Sequence, residues 1–215
     1  MSTNFEQKSL SSFIESIKRI LNLSAFKTTV DDIITEQYTR AIQDIDSELD
    51  LQINLVPKGK DLNFLLDYVN QNIQSAADQV ADNIRQEIQR GILNGETTDQ
   101  LAKRIKFLFK EKKYHVRIKA ILRTETLRAN NLGTLEGAHQ AQASGLKLTK
   151  WLDVTEDTKT SKICHAEHSK YGTPEQAIPL DKEFVVKADN KTIKSQYPPF
   201  HVNCRTVLRI KNERS

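Results

Sequence analysis

Apolar residues recur every three or four positions through most of the first two-thirds of the chain, the spacing that lines one face of a helix. Phe13, Ile14, Ile17 and Leu21 form the first stripe, behind a Ser12-x-x-Glu15 capping box. Val30, Ile33, Ile34, Ala41, Ile45 and Leu49 form the second, behind Thr29-x-x-Asp32. Pro57-Lys58-Gly59 then breaks the pattern. The longest run passes through Leu62, Leu65, Leu66, Val69, Ile73, Ala76, Val80, Ile84 and Ile88. It predicts one long helix with a single buried stripe, closed by Gly91 and Gly95. Such a stripe packs within its own chain or against a second copy, so a homo-oligomer stays open. Thr97-x-x-Gln100 opens a short helix carrying Leu101, Ile105 and Leu108, and a last helix covers roughly 116–143 and stops at Gly145.

Beyond Gly145 the texture changes to prolines, glycines and short alternating segments. Lys150–Val154, Glu183–Lys187 and Val207–Ile210 read as short strands, and Tyr197-Pro198-Pro199 imposes an extended segment. The expectation is a mainly α chain with a small α+β C-terminal subdomain. An N-terminal helical region over 1–96 and a basic helical part over 97–145 make an elongated helical portion. A short-stranded, zinc-stapled tail over 146–215 follows. About 70 residues is few for an independent core without a staple.

Composition narrows the class. The 215 residues are 38% hydrophobic, enough for a packed core. No run approaches the ~18 apolar residues of a membrane span. Glu6 and Glu15 interrupt the N-terminal apolar residues, so no signal-peptide core is expected there. Two cysteines make no disulfide framework and fit a reducing cytoplasm, which leaves a metal site or a reactive thiol as their chemistry.

The net charge of +4 hides an asymmetry. Residues 1–102 carry 9 basic and 16 acidic side chains, whereas residues 103–128 carry 10 basic and 2 acidic. The basic block holds Lys103, Arg104, Lys106, Lys110, Lys112, Lys113, Arg117 and Lys119. Such a block neutralises phosphates and releases counterions, giving salt-sensitive binding to nucleic acid. A solvated helix face, or a face docking on an acidic partner, accounts for it equally simply.

Both cysteines fall in the tail, in Cys164-His165-Ala166-Glu167-His168 and His201-Val202-Asn203-Cys204-Arg205. Cys164/His168 and His201/Cys204 are two short-spaced pairs of nitrogen and sulfur donors, which is what tetrahedral zinc requires, and the metal would clamp two turns together. Four protein ligands make a closed, structural site. His165 is a lesser alternative to His168, and Asp157 or a water is the alternative fourth ligand. Two buried free cysteines with surface histidines, or a catalytic Cys–His pair, are the competing readings.

Arg123-Thr124-Glu125 begins a longer pattern that continues through Asn131, Gly133, Trp151, Asp157-x-Lys159-Thr160-Ser161, Ile163-Cys164 and His168. It closes with Pro198-Pro199-x-His201-x-Asn203-Cys204-Arg205. The pattern resembles the phage head morphogenesis family, the Mu F-like minor head proteins, over roughly residues 97–210. Lys159 stands where the family has arginine, Thr206 where it has a final cysteine, and glycine does not directly follow His168. The resemblance implies a minor virion protein without enzymatic activity, made in the bacterial host cytoplasm and placed inside the head near the portal. Portal protein, major capsid or scaffold protein and packaged double-stranded DNA are the partners it implies. The residues leave two alternatives. One is a metal-dependent nuclease or toxin-like effector with Asp157 or His165 as general base. The other is a portal or scaffold adaptor with no DNA affinity. Arg123 and Glu125 lie on opposite sides of their helix, so separate partners are expected, Glu125 anchoring Lys159 or Arg205.

Overall fold

The computed structural model describes residues 23–51, 53–94, 96, 100 and 112–213. The Ser12 capping box and its stripe lie outside these residues, as do the Thr97 box and the short helix at 101–108. Among the described residues three long helices come first: α1 (Leu23–Glu48), α2 (Gly59–Leu93) and α3 (Lys112–Ala143). The C-terminal part follows with β1 (Leu148–Asp153), α4 (Lys162–Tyr171), a 3-10 turn (Pro174–Gln176), β2 (Ile178–Pro179), β3 (Phe184–Ala188), β4 (Lys191–Ser195) and β5 (Val207–Asn212). The protein is thus mainly helical with a small C-terminal β region.

By its contacts the chain divides into two units, one of Met1–Val30 with Asp67–Ile121 and one of Asp31–Leu66 with Leu122–Ser215. The boundaries expected after 96 and after 145 both fall inside these units. In the first unit Val30 and the α2 residues Val69, Ile73, Ala76, Ala77 and Ile84 are buried, and the Lys27 ammonium donates to Gln74 Oε1 at 3.1 Å.

The second unit carries the site. Its share of α1 buries Ile34, Tyr38, Ala41, Ile42 and Ile45, a stripe at helical spacing. Thr29 does not cap this helix, which already runs from Leu23, and Ile33 lies off the stripe at 40% exposure. The face of α3 turned to α1 is built differently. Ala129, Gly133, Gly137 and Ala141 repeat every fourth residue and make a ridge without bulk. Gly133 abuts the Tyr38 carbonyl and Ala41, and Gly137 abuts Ile42 and Ile45. The 49–58 linker is held to α3, with Gln140 bonding both backbone groups of Val56 and Lys58 paired to the buried Glu136. Gly145 ends the α3 turn at φ +101°, where a Cβ would be strained.

β1 is the centre of an antiparallel sheet in the order β2-β1-β5, and β3 and β4 form a hairpin. Trp151 lies opposite Arg209, and Leu152 opposite Leu208. Alternation along β1 sends Leu148, Lys150 and Leu152 inward. Leu135 of α3, Leu152, Tyr171, Phe184, Val186 and Leu208 form one core cluster. The three expected strands correspond to β1, β3 and β5; β2, β4 and α4 are additional.

Candidate metal centre

The site rests on one asparagine of α3. Asn131 is fully buried, and its amide donates to the Pro198 and Thr206 carbonyls, 3.2 Å each. Its oxygen accepts from the Leu208 amide at 2.9 Å. One side chain therefore replaces three backbone partners over the 198–208 segment, which carries His201 and Cys204 outside any strand. A turn closes between those two residues, the Cys204 amide donating to the His201 carbonyl at 3.2 Å. Asn203 in this turn takes the left-handed conformation, φ 61°, and its amide donates to the Thr124 hydroxyl at 3.1 Å.

α4 delivers the other thiol. Ser161 caps the helix by accepting from the Cys164 amide at 3.1 Å, and Cys164, Glu167 and Tyr171 form its buried face. The sequence pattern shows no helix here because the run is short and its buried face holds a thiol, a carboxylate and a phenol in place of an aliphatic stripe.

Cys164 Sγ, a ring nitrogen of His201 and Cys204 Sγ all lie within 4.8 Å of one another. Cys164 Sγ is 2.9 Å from His201 Nε2, and Ser161 Oγ is 3.0 Å from the same nitrogen. Nδ1 of His201 faces the Val202 carbonyl at 2.8 Å. That contact suits an N–H at Nδ1 and leaves the Nε2 lone pair for a metal, the arrangement typical of ligating histidines. The Cys204 thiol is pushed down, chiefly by the hydrogen bond from Cys164 and further by His201 and Thr206, while Cys164 is pushed up by the same bond and by burial. His201 is raised by its bond to Cys204. Cys164 and His201 line a recess with room for about one water, and two sulfurs with an imidazole are a donor set that fits a zinc-sized ion.

His168 does not join them. Its Nε2 lies 3.3 Å from Glu156, and its ring packs against Gly172, where a Cβ would come 2.6 Å from Nδ1. One position further round α4 than Glu167, it leaves the buried face. His165 also turns to Glu156, at 3.3 Å.

The remaining motif residues brace the centre. Arg205 forks onto Asp157 with two bonds of 2.7 Å. Asp157 is fixed in turn by accepting from the Lys159 amide, and its own amide donates to the Thr160 hydroxyl. The arginine pulls the Asp157 carboxyl far below its usual range. Both carboxylate oxygens are thus engaged by an arginine next to Cys204, and Asp157 is not gathered with the three donors. Glu125 pairs with Arg128 at 2.8 Å, so the anchoring expected toward Lys159 or Arg205 does not occur through Arg205. Arg123 is exposed and borders a shallow hollow shared with Cys204 and Arg205. Trp151 is half-buried in β1. Of the basic block, 103, 104, 106 and 110 lie outside the described residues, while 112, 113, 117 and 119 lie in the first turns of α3.

Two residues beside the thiols carry no role in the sequence reading. Thr206, buried, lies 3.9 Å from Cys164 Sγ and donates to Glu167 Oε2 at 2.6 Å. Glu167 is 0% exposed, burial pushes its carboxyl up to about 7, and its Oε1 has no hydrogen-bond partner. A signal is present in the spacing: Cys164 and Glu167 are three apart, hence on one face of any helix through them.

Residues 82–209 match the family model described as Phage Mu protein F like protein, a match that opens inside α2 and closes in β5. No curated protein and no solved structure matches the chain.

Proposed function

The chain belongs to the Phage Mu protein F like family, and on that premise we propose that it is a minor head protein of a tailed bacteriophage, bound to portal and packaged DNA inside the head. The family match over most of the C-terminal two-thirds, with the Pro198–Arg205 motif built into a donor cluster, carries this reading. Zinc held by Cys164, His201 and Cys204 staples the 198–208 segment to α4, so that metal binding adds to the stability of the unit. The basic residues Lys103, Arg104, Lys106, Lys110, Lys112, Lys113, Arg117 and Lys119 meet duplex DNA through its phosphates, without base readout. The acidic N-terminal stretch suits a protein-facing surface toward portal, capsid or scaffold. Among the described residues no helix is long and apolar enough to cross a membrane.

Quantitative mass spectrometry of purified particles, with empty proheads alongside, tests the placement. The expected result is a few copies per portal in filled heads; absence from every particle overturns the reading. Retention of double-stranded DNA on filters tests the interface. Charge reversal at Lys103, Arg104, Lys106, Lys112 and Lys113 is expected to abolish a salt-sensitive retention. Unchanged retention removes the DNA contact and leaves the adaptor role.

A further inference from the structure

A metal held by Cys164, His201 and Cys204 has three protein ligands, one fewer than a closed zinc site needs. The residue in the family's last cysteine position, Thr206, is a poor ligand, yet its hydroxyl stands 3.9 Å from Cys164 Sγ, beside the cluster. That hydroxyl is committed as a donor to Glu167 Oε2 at 2.6 Å. Glu167 in turn is a carboxylate with no exposed surface, carried one helical turn beyond Cys164 on the same buried face of α4. Its second oxygen, Oε1, is buried with no partner. An apolar core gains nothing from such a group, because burying a carboxylate with one oxygen unsatisfied is strongly unfavourable. Glu167 stands outside the three donors that lie within 4.8 Å of one another, and a cation at the cluster that drew Oε1 to it would remove that cost. Lys159 lines the recess beside Cys164 and His201 and offsets part of the negative charge of two thiolates and a carboxylate on one divalent ion.

We propose that Glu167 is the fourth ligand of this metal, closing a site of two thiolates, one imidazole and one carboxylate in which Thr206 holds the other carboxylate oxygen. The proposal rests on the metal-centre reading above and assigns what that reading leaves open. His168 is then dispensable.

The test is cobalt(II) titration of the full chain, followed by thiolate-to-cobalt charge-transfer and visible d–d bands, with circular dichroism to confirm folding. Wild type is expected to give a tetrahedral spectrum that added azide leaves unchanged, since no position is open. Glu167→Ala is expected to bind cobalt at least about tenfold more weakly and to show bands that shift with azide. Thr206→Val, which removes only the hydroxyl, should stay closed to azide, and His168→Ala should match wild type. Glu167→Ala combined with Thr206→Cys should restore tight, azide-insensitive binding with stronger charge-transfer bands from a third thiolate. An azide shift in wild type, or a Glu167→Ala spectrum identical to wild type, overturns the assignment while leaving the three-residue site standing. No cobalt bands in wild type removes the metal centre itself.

Discussion

Replacing Asn131 should do more damage than any other single polar substitution in the described residues. Its side chain makes three hydrogen bonds at 2.9–3.2 Å, all to backbone groups of the segment bearing His201 and Cys204, and it has no exposed surface. At about 1 kcal/mol net per bond, Asn131→Ala costs about 3 kcal/mol, moderated where water enters the space left behind. Asn131→Leu fills that space and excludes water, so the Pro198 and Thr206 carbonyls and the Leu208 amide lose their partner outright. Its cost rises to about 4 kcal/mol or more. Asn131→Asp keeps the acceptor for Leu208 but turns a carboxylate oxygen toward two carbonyls, and should be at least as harmful as leucine. Trp151, the only tryptophan in the chain, sits on β1 opposite Arg209 of β5. Its fluorescence therefore reports unfolding of this unit. Guanidinium titration in chelator should show the midpoint falling in the order wild type, Ala, then Leu and Asp, with slopes unchanged. Three variants within about 0.5 kcal/mol of wild type would refute the claim that Asn131 holds the segment.

Two further outcomes follow from packing and burial. Gly133→Ala should cost about 1–3 kcal/mol despite alanine's better helix propensity, because its methyl group would meet the Tyr38 carbonyl and lie 2.8 Å from Ala41 Cβ; Gly59→Ala, with open space around it, is the neutral control, and thermal melts that do not separate the two would sink the close-packing argument. Lys150 is fully buried, donates to both the Gln196 carbonyl and its side chain, and is pushed down from 10.5 to about 8 by burial. Between those two values the unfolded chain binds more protons than the folded one, so stability rises with pH across that window, by up to about 3 kcal/mol. Lys150→Met should flatten that rise, and parallel melting curves of the two proteins between about pH 7.5 and 10 would show that Lys150 does not titrate as argued.

Much of the chain is legible because its information is local. A stripe at helical spacing needs only one apolar partner surface, so Ile34, Ala41 and Ile45 of α1 and Leu65, Val69, Ile73 and Ile84 of α2 can be placed inward from sequence alone. Alternation does the same for β1, and Gly145 marks the end of α3. Residue chemistry alone singles out Cys164, His201 and Cys204 as candidate donors, and the fold brings these three within 4.8 Å of one another, where they could hold a metal.

The tertiary structure decided what depends on distant residues. α3 shows no strong stripe because its inward face is a ridge of Ala129, Gly133, Gly137 and Ala141 together with buried Thr124, Glu125 and Asn131. Small and polar residues read as surface until a partner is known to approach them. Spacing points to His168, whose half-buried side chain turns to Glu156, while its neighbour Glu167, about 100° further round the helix, has no exposed surface. Asp157 and Arg205 are 48 residues apart, and no local rule pairs them; only the return of the chain after β4 brings the carboxylate to the guanidinium. Donor types are written in the residues, whereas a coordination sphere is written in which of them the folded chain brings within reach.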